Sequence, residues 1–389
     1  MTKALAYRII LLFSACFFTL FVAEILIRIF LPPPQIVLIS EDLGFKQSLA
    51  MEHKVTRAFT SNMWPEDDVF VQTPRGIRLR ANVHALIVDR GDINRTISLR
   101  TNSIGYRNPE IRQKERKRVL FLGDSITLGV DVEEEETFVR LVEKLSMSGP
   151  EPLETINAGV NGLSLQNELA ILEQTGIALQ PDIVIIGFFL NDALPSPGVK
   201  VAKIPWPLDK FRLFYYVFKG ISTIYQYHDY SRINRETWDQ WKREITAAFP
   251  PGPGDPLNDR AALNALILEN ATDWGSAWSN GAWERMDPLF AEFKRLAGVH
   301  NFKLGIVIFP VKDQIIANFV YDYPQQRLKE IAKKLDVPVL DPLPALREIY
   351  RSSPEALLYD HAHYTPYGHT IIAGLIFDFL KNYFSLTAA

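Results

Sequence analysis

Three residues of the sequence have the side-chain types that nucleophilic catalysis requires. Ser125 follows the apolar stretch "RVLFLGD", and Asp360 and His363 lie three residues apart in "DHAHYTPYGH" near the carboxyl end. A serine becomes a nucleophile when a base takes its proton, and a carboxylate can hold a histidine base in the right tautomer. On a tight turn, the spacing of Asp360 and His363 lets their side chains face the same way. The expected chemistry is a covalent reaction at Ser125.

Two further stretches offer hydrogen-bond donors for the oxyanion that such a reaction forms. Gly162 follows "TINAGV", and a residue without a side chain lets a backbone N–H come close to a substrate. Asn191, in "GFFLND", has a side-chain amide that could donate to the same oxygen. Each residue alone has an ordinary explanation, such as a turn or, for Ser125, the start of a helix. Their joint occurrence, each after a predicted strand, indicates a catalytic site.

Neighbouring titratable residues have simpler explanations. His361 adjoins Asp360 directly, which is a spacing poorly suited to a side-chain pair, and His369 lies at a predicted helix start. Both are interpreted as structural residues. The acidic run 133–136 precedes a helical pattern, where negative charge suits the helix dipole. It is interpreted as a solvated face rather than a metal site.

Alternating strands and helices must bring the candidate residues together. Apolar segments predict buried strands at 118–123, 155–160, 182–189, 303–310 and 337–342. Helical patterns cover 135–147, 164–178, 282–299, 324–335 and 366–384. This alternation predicts a parallel sheet with helices on both faces. In open sheets of this kind ligands bind at the carboxyl ends of the strands, which is where the candidate residues lie.

The four stretches together resemble a known enzyme family. "FLGDSITLG", "NAGVNG", "LND" and "DHAH" are similar, in this order, to the four sequence blocks of the SGNH or GDSL hydrolases. The resemblance implies an α/β fold, a three-layer α/β/α sandwich with a parallel, flavodoxin-like sheet. It implies that Ser125 is the nucleophile and that His363 is the base, supported by Asp360. It also implies an oxyanion hole formed by Ser125, Gly162 and Asn191, and no requirement for a metal or a cofactor.

The residues around Ser125 argue against a second class of serine hydrolases. The Gly-x-Ser-x-Gly signature would need glycine at position 127, where the sequence has Thr127. Ser125 is therefore not expected on the nucleophile elbow of the α/β-hydrolase fold.

An apolar segment at the amino end predicts a membrane anchor. Residues 9–31 contain two charged residues, Glu24 and Arg28, and as a helix they would span roughly 34 Å. These two residues lie four apart and can pair on one helical face. A cleaved signal peptide is the alternative, but small residues are not evident at the cleavage spacing. Lys3 and Arg8 precede the span, which predicts a cytoplasmic amino end and a catalytic domain that is periplasmic or extracellular.

We predict four regions along the chain. An anchor at 1–34 precedes a small strand-rich region at 35–115, and 116–194 together with 298–389 form the hydrolase domain. Residues 195–297 form an insertion, since this stretch is too long for an ordinary connection. Within the insertion, nine aromatic residues lie in one stretch of 25 residues, 206–230. They predict a small core that holds the insertion onto the main domain; a lid, a sugar-stacking platform and a membrane-interface surface are the alternatives.

Composition limits the partners. The sequence has 42 basic and 45 acidic residues, without the basic excess that binding to nucleic-acid phosphates requires. No nucleic-acid partner is expected. The only cysteine, Cys16, excludes an intrachain disulfide.

The residues favour a serine esterase that cleaves a carboxylic ester through an acyl-serine intermediate. O-acetyl groups on a carbohydrate are one candidate substrate. The same residues would serve an O-acyltransferase for a cell-envelope polysaccharide if a sugar hydroxyl resolved the intermediate. A non-catalytic binding protein is the third alternative, which is disfavoured because all four chemical positions are filled. The acyl group, the acceptor and the oligomeric state are not readable from the sequence.

Overall fold

The amino-terminal part of the chain combines one long helix with two small sheets. The computed structural model describes residues 3–30, 36–39, 48–52, 70–73, 76–88, 96–194, 208, 211–214, 217, 235–317, 322–353 and 357–384. The helix is α1 (Lys3–Phe30), and the strands are β1 (Ile36–Ile39), β2 (Ser48–Glu52), β3 (Phe70–Thr73), β4 (Gly76–Leu79), β5 (His84–Val88) and β6 (Thr96–Arg100). Strands β1, β2, β5 and β6 form one antiparallel sheet in this order, and β3 pairs with β4. The boundaries of the strand-rich region stay a prediction.

Helix α1 is long and apolar enough to cross a bilayer. The stretch Tyr7–Phe30 has 24 residues, and almost none of it is buried against the rest of the chain. The predicted pair forms in this helix, since Arg28 Nε donates to Glu24 Oε1 at 2.6 Å. A signal sequence would have the same length and composition, so the anchor role belongs to the proposals below.

Five parallel strands form the sheet that positions the candidate residues. They are β7 (Lys117–Gly123), β8 (Leu153–Asn157), β9 (Ile183–Phe189), β10 (Lys303–Phe309) and β11 (Val339–Leu340). Their spatial order is β11-β10-β9-β7-β8, and all neighbouring pairs are parallel. Every residue of β9 is buried, as expected for a strand covered on both faces. This is the predicted parallel sheet with a flavodoxin-like strand order.

Helices cover both faces of this sheet. Phe188 of β9 contacts Trp283 on one face. The next residue, Phe189, points to the other face and is in register with Phe309 of β10, which contacts Phe138. The two contacts place one helix on each side of β9 and β10. The three-layer α/β/α fold is therefore confirmed.

The described helices after α1 include the five predicted ones and five others. They are α2 (Ser125–Leu128), α3 (Phe138–Ser146), α4 (Leu165–Ile171), α5 (235–248), α6 (Arg260–Glu269), α7 (Asn280–His300), α8 (Lys312–Ile316), α9 (Tyr323–Leu335), α10 (Leu343–Ser352) and α11 (Pro366–Phe384). The sequence patterns do not predict α5, α6, α8 or α10. Before α10, Asp341 Oδ1 accepts a hydrogen bond from Leu343 N at 3.1 Å, and the chain enters this helix shortly after β11, which has two residues.

The described second half of the predicted insertion packs on the main sheet. Trp283 of α7 contacts β9, and the short 3₁₀ helix Trp274–Trp278 contacts the turn Leu190–Ala193 that follows β9. Two of the nine clustered aromatic residues are described, Phe211 and Phe214. Their ring centroids lie 6.1 Å apart. The other seven lie outside the described residues. The role of the insertion stays a prediction.

Candidate active site

Ser125 lies at the first position of α2, directly after the carboxyl end of β7. Asp124 is the N-cap of this helix, because its Oδ1 accepts a hydrogen bond from Ile126 N at 2.9 Å. The structure therefore places the predicted helix start directly at the end of the strand. Ser125 is 7% exposed.

Glycines let α2 approach the sheet closely. Gly123 of β7 and Gly187 of β9 are neighbours in register, and Thr127 of α2 lies over both. A side chain at either glycine would overlap the Thr127 hydroxyl. Gly159 has the same function after β8, because a Cβ there would overlap the backbone of Leu128. These contacts fix the height of Ser125 above the strand ends.

His363 reaches Ser125 from the turn that precedes α11. His363 Nε2 lies 2.9 Å from Ser125 Oγ, and His363 Nδ1 lies 2.7 Å from Asp360 Oδ2. The other oxygen, Asp360 Oδ1, accepts hydrogen bonds from the backbone N–H groups of Ala362 and His363 at 2.8 and 2.7 Å. The structure thus brings the three predicted residues into one hydrogen-bonded path.

The charge state of Asp360 follows from its contacts. Burial favours the neutral carboxyl, but the charge and hydrogen bonds of His363 outweigh it and hold the pKa of Asp360 well below its usual range. Asp360 is therefore a carboxylate at neutral pH. An anion bonded to Nδ1 leaves the proton on that nitrogen and leaves Nε2 free to accept the Ser125 proton.

Asp131 is a second carboxylate at His363 that the sequence analysis did not identify. Its Oδ2 lies 3.5 Å from His363 Nδ1, and the residue is 4% exposed. Asp131 belongs to the loop between α2 and α3, six residues after Ser125. No local sequence signal distinguishes it from the acidic run that follows.

Arg107 holds the loop that carries Asp131. The fully buried guanidinium donates to the backbone oxygens of Leu128, Gly129 and Val132, the last at 2.7 Å. Burial lowers the pKa of Arg107 to about 10, and nearby carboxylates, Glu134 foremost, oppose this shift. Arg107 is therefore a cation at neutral pH.

The acidic run at 133–136 is partly used in packing. The backbone N–H of Ser98 in β6 donates to Glu133 Oε1 at 3.1 Å, and the backbone N–H of Glu133 donates to Glu136 Oε2 at 3.0 Å. Glu135 is exposed, whereas the other three residues are half-buried. The solvated face expected from the sequence is wrong for Glu133, because β6 packs against it; Glu134 is half-buried beside Arg140.

The two predicted oxyanion residues lie at the expected edge of the sheet. Gly162 is in an exposed turn after β8, with φ +68°, a backbone conformation that favours glycine. Asn191 is buried in the turn after β9, and within the described part of the chain its Oδ1 has no hydrogen-bond partner. No hydrogen bond joins either residue to Ser125 among the described residues. Their role as donors stays a proposal.

Three buried acidic residues lie behind the nucleophile and the Asn191 turn. Asp124, Glu168 and Asp192 are all at most 1% exposed. Asp192 Oδ2 accepts a hydrogen bond from Phe189 N at 2.7 Å, which closes the turn that contains Asn191. Burial, together with the charge of Asp124, raises the pKa of Glu168 well above its usual range, and burial and the charge of Glu168 do the same for Asp192. Glu168 and Asp192 therefore favour the protonated form.

The remaining histidines of the carboxyl-terminal segment have other contacts. His369 Nδ1 accepts a hydrogen bond from Phe138 N at 3.1 Å. Burial, with the charges of Arg107 and His363, lowers the pKa of His369 to about 3, so its ring is neutral. The backbone oxygen of His361 accepts a hydrogen bond from Lys312 N at 2.7 Å. Neither contact involves Ser125, in line with the structural interpretation of both residues.

Asp131, Asp360 and His363 also have the ligand types of a metal site. Their ligand atoms lie within 4.8 Å of one another. A metal ion on Nδ1 would have to replace the proton that the 2.7 Å contact with Asp360 requires. We therefore assign these contacts to hydrogen bonding.

Comparison with known proteins gives one family match and distant structural similarities. The model of the GDSL-like lipase/acylhydrolase family matches residues 121–371. A solved acetyl xylan esterase is 14% identical, with 68% of this chain and 99% of that chain covered and a TM-score of 0.38. A lipase/acylhydrolase from Enterococcus faecalis is 17% identical, with 68% and 96% covered and a TM-score of 0.38. A mutant acetylxylan esterase from Geobacillus stearothermophilus is 18% identical, with 70% and 95% covered and a TM-score of 0.39. No curated protein sequence matches.

Proposed function

Because the chain belongs to the GDSL-like lipase/acylhydrolase family and is an ester-hydrolysing enzyme, we propose that Ser125, His363 and Asp360 form its catalytic triad. The observation that carries this proposal is the continuous path from Ser125 Oγ to His363 Nε2 at 2.9 Å and from Nδ1 to Asp360 Oδ2 at 2.7 Å. Both distances are those of hydrogen bonds.

The path determines how the proton moves. Ser125 Oγ attacks the ester carbonyl carbon while its proton passes to His363 Nε2, and the same proton then leaves with the alcohol. Water repeats the sequence and releases the acid from the acyl-serine. Asp360 keeps the Nδ1 proton in place and stabilises the imidazolium that forms in both steps. The N–H of Ser125, the N–H of Gly162 and the side chain of Asn191 are the proposed donors to the oxyanion.

Mutation of the triad tests this assignment. We expect Ser125→Ala and His363→Ala each to abolish nearly all turnover, and the double variant to be little slower than either, because residues that act as one unit are not additive. His361→Ala is the matched control, since it removes an adjacent imidazole. A fluorophosphonate probe should label Ser125, as read by mass spectrometry. If His361→Ala lost activity and His363→Ala kept it, the base would be wrongly assigned.

We propose that the acyl group is small, such as acetyl, and that the alcohol is a carbohydrate. The small exposed fraction of Ser125 supports a short acyl chain, because little surface is open around its hydroxyl. The carbohydrate is a hypothesis for a substrate screen. Activity of the full chain in detergent on p-nitrophenyl esters should fall steeply from acetate to octanoate, and acetylated oligosaccharides should release acetate. A preference for octanoate would contradict the proposed acyl group.

The same screen separates hydrolysis from acyl transfer. With a polyol or oligosaccharide acceptor present, a hydrolase gives acetate as its main product, whereas an O-acyltransferase gives the acetylated acceptor. We expect acetate. Acetylated acceptor as the main product, with Ser125→Ala inactive, would convert the assignment to an acyltransferase without changing the triad.

We also propose that α1 anchors the enzyme in a membrane with the catalytic domain outside the cytoplasm. The apolar stretch Tyr7–Phe30 and the basic residues before it support this proposal.

A further inference from the structure

We propose that Asp131 is a positioning residue of the triad, a second carboxylate that shares the Nδ1 proton of His363 with Asp360. This inference rests on the proposed function. Its geometric basis is the position of Nδ1, which lies 2.7 Å from Asp360 Oδ2 and 3.5 Å from Asp131 Oδ2. The imidazole therefore has two acidic neighbours on the side opposite to Ser125.

The two carboxylates come from independent parts of the chain. Asp360 belongs to the turn before α11, whereas Asp131 belongs to the loop after α2, the helix that begins with Ser125. The loop therefore connects the nucleophile and the second carboxylate within seven residues. His363 lies on the same turn as Asp360, so Asp131 is the carboxylate that joins the imidazole to the segment of the nucleophile.

Arg107 keeps Asp131 at this place. Its guanidinium donates to backbone oxygens on both sides of Asp131, those of Gly129 and Val132. The loop therefore cannot open without breaking hydrogen bonds to a buried cation, each of which is among the stronger kinds. The same cation offsets the negative charge of Asp131 in a buried place. Arg107 acts through the loop and not on His363 directly.

Two buried carboxylates have a specific effect on the reaction. When Ser125 gives its proton to Nε2, His363 becomes a cation, and both carboxylates lie close enough to stabilise it. Among the described residues, the charged or titratable groups at the imidazole are Asp131, Asp360, Ser125 and His369, with His361 beside Asp360 and Arg107 behind the Asp131 loop. Removal of Asp131 should therefore make the imidazolium less stable without altering substrate contacts.

Paired substitutions test the inference. We expect Asp131→Asn to lower kcat about 10-fold with KM nearly unchanged, and to move the acid limb of the pH–rate profile about one unit lower. We expect Asp360→Asn to lower kcat about 10²-fold. This is less than the roughly 10⁴-fold decrease in kcat that is known where a triad has a single carboxylate. In the double variant the remaining activity should fall about 100-fold further. Asp131→Glu should recover part of kcat, since it restores the charge.

The control is Glu133→Gln, which changes a carboxylate of the same loop that binds Ser98 and not His363. It should leave kcat and the acid limb unchanged. An unaltered acid limb in Asp131→Asn, or a double variant no slower than Asp360→Asn, would overturn the inference. If Asp131→Asn fails to fold, the test rests on Asp360→Asn alone. A decrease in its kcat of about 10⁴-fold would overturn the proposal that the two carboxylates share the proton. Full activity of Ser125→Ala would instead refute the proposed triad.

Discussion

At the scale of single residues, the proposed oxyanion donor Asn191 lies in a turn that hydrogen bonds hold in place. The Oδ2 atom of the next residue, Asp192, accepts the N–H of Phe189. The backbone that carries the Asn191 side chain is therefore held in place before any substrate binds. Such preorganised donors act in the transition state and contribute most when water is excluded.

Asn191→Ala should therefore reduce kcat by about 10² to 10³-fold, with little effect on KM. Asn264→Ala is the matched control, because this asparagine is also buried but its amide donates to the backbone of Pro250. It should lower the melting temperature and leave kcat unchanged. Steady-state kinetics and thermal unfolding of both variants provide the measurement. A kcat for Asn191→Ala equal to that of the wild type would remove this residue from the site.

Glu168 offers a prediction about stability and pH. Burial raises its pKa in the folded state, so the folded protein retains a proton that the unfolded chain releases as the pH rises above about 4.3. The free energy of unfolding therefore decreases with increasing pH, by up to about 1.4 kcal/mol per pH unit, until Glu168 also ionises in the folded protein. Glu168→Gln removes this loss.

Thermal unfolding at pH 5 and pH 8 measures the effect. Glu168→Gln should raise the melting temperature relative to wild type more at pH 8 than at pH 5. Glu173→Gln, five residues along the same segment and half-buried, is the control and should show no such difference. A larger gain at pH 5 than at pH 8 would have the wrong sign and would refute the assignment.

The sequence predicted some residues of the site better than others, for a physical reason. Ser125, Asp360 and His363 each occupy a place fixed by a strand end or a tight turn, so residue type and spacing predicted their contacts. Asp131 and Arg107 could not be predicted in this way. Their positions depend on hydrogen bonds between backbone oxygens of one loop and a side chain more than twenty residues earlier.

At the scale of elements, long buried segments were predictable and short ones were not. β9 is apolar along its whole length, and its observed bounds differ from the prediction by one residue. β11 has two residues, and α10 begins three positions after it; the one hydrogen bond from Leu343 N to Asp341 that precedes this helix is a weak signal in a sequence. Helix α10 was missed, as were α5, α6 and α8.

The contact between α1 and residues 212–213 could not be read from the sequence either. Glu24 is 7% exposed in an otherwise exposed helix, because the backbone N–H groups of Arg212 and Leu213 donate to it at 3.0 and 2.8 Å. Arg28 donates to the same carboxylate. A charged group in an apolar helix is thus satisfied by a segment of the predicted insertion.

Glu24→Ala should release this segment. We expect hydrogen exchange at the amides of Arg212 and Leu213 to become about 10 to 100-fold faster, since each loses a hydrogen bond to a charged acceptor. The measurement is amide exchange on the full chain in detergent micelles. Thr19→Ala, whose hydroxyl bonds only the backbone oxygen of Ala15 in the same helix, is the control and should not alter these amides. If the two amides exchanged as slowly in Glu24→Ala as in the wild type, the contact with Glu24 would not be what holds the segment.

At the scale of the whole molecule, the orientation in the membrane decides where the enzyme works. Basic residues at the amino side of α1 favour a cytoplasmic amino end, since Lys3 and Arg8 precede the span and Lys46 is the only basic residue in the first twenty or so after it. The structure adds that Glu24, near the other end of the helix, contacts the segment that leads into α5 and the catalytic domain. Both observations favour a catalytic domain on the far side of the membrane.

Reporter fusions after Ala389 test this orientation. Alkaline phosphatase needs an oxidising compartment for its disulfides, so it should be active when fused to the full chain and inactive when residues 1–34 are deleted. A fluorescent protein that folds in the cytoplasm should show the opposite pattern. Membrane pellets washed at high pH should retain the full chain and lose the truncated one. Such a wash removes proteins that are held by electrostatic attraction, but it does not extract a helix that spans the bilayer. An intact fusion with cytoplasmic reporter activity would reverse the orientation, and recovery of a shortened, soluble chain would identify α1 as a cleaved signal. In either case the triad assignment would stand, since its contacts lie entirely after residue 116.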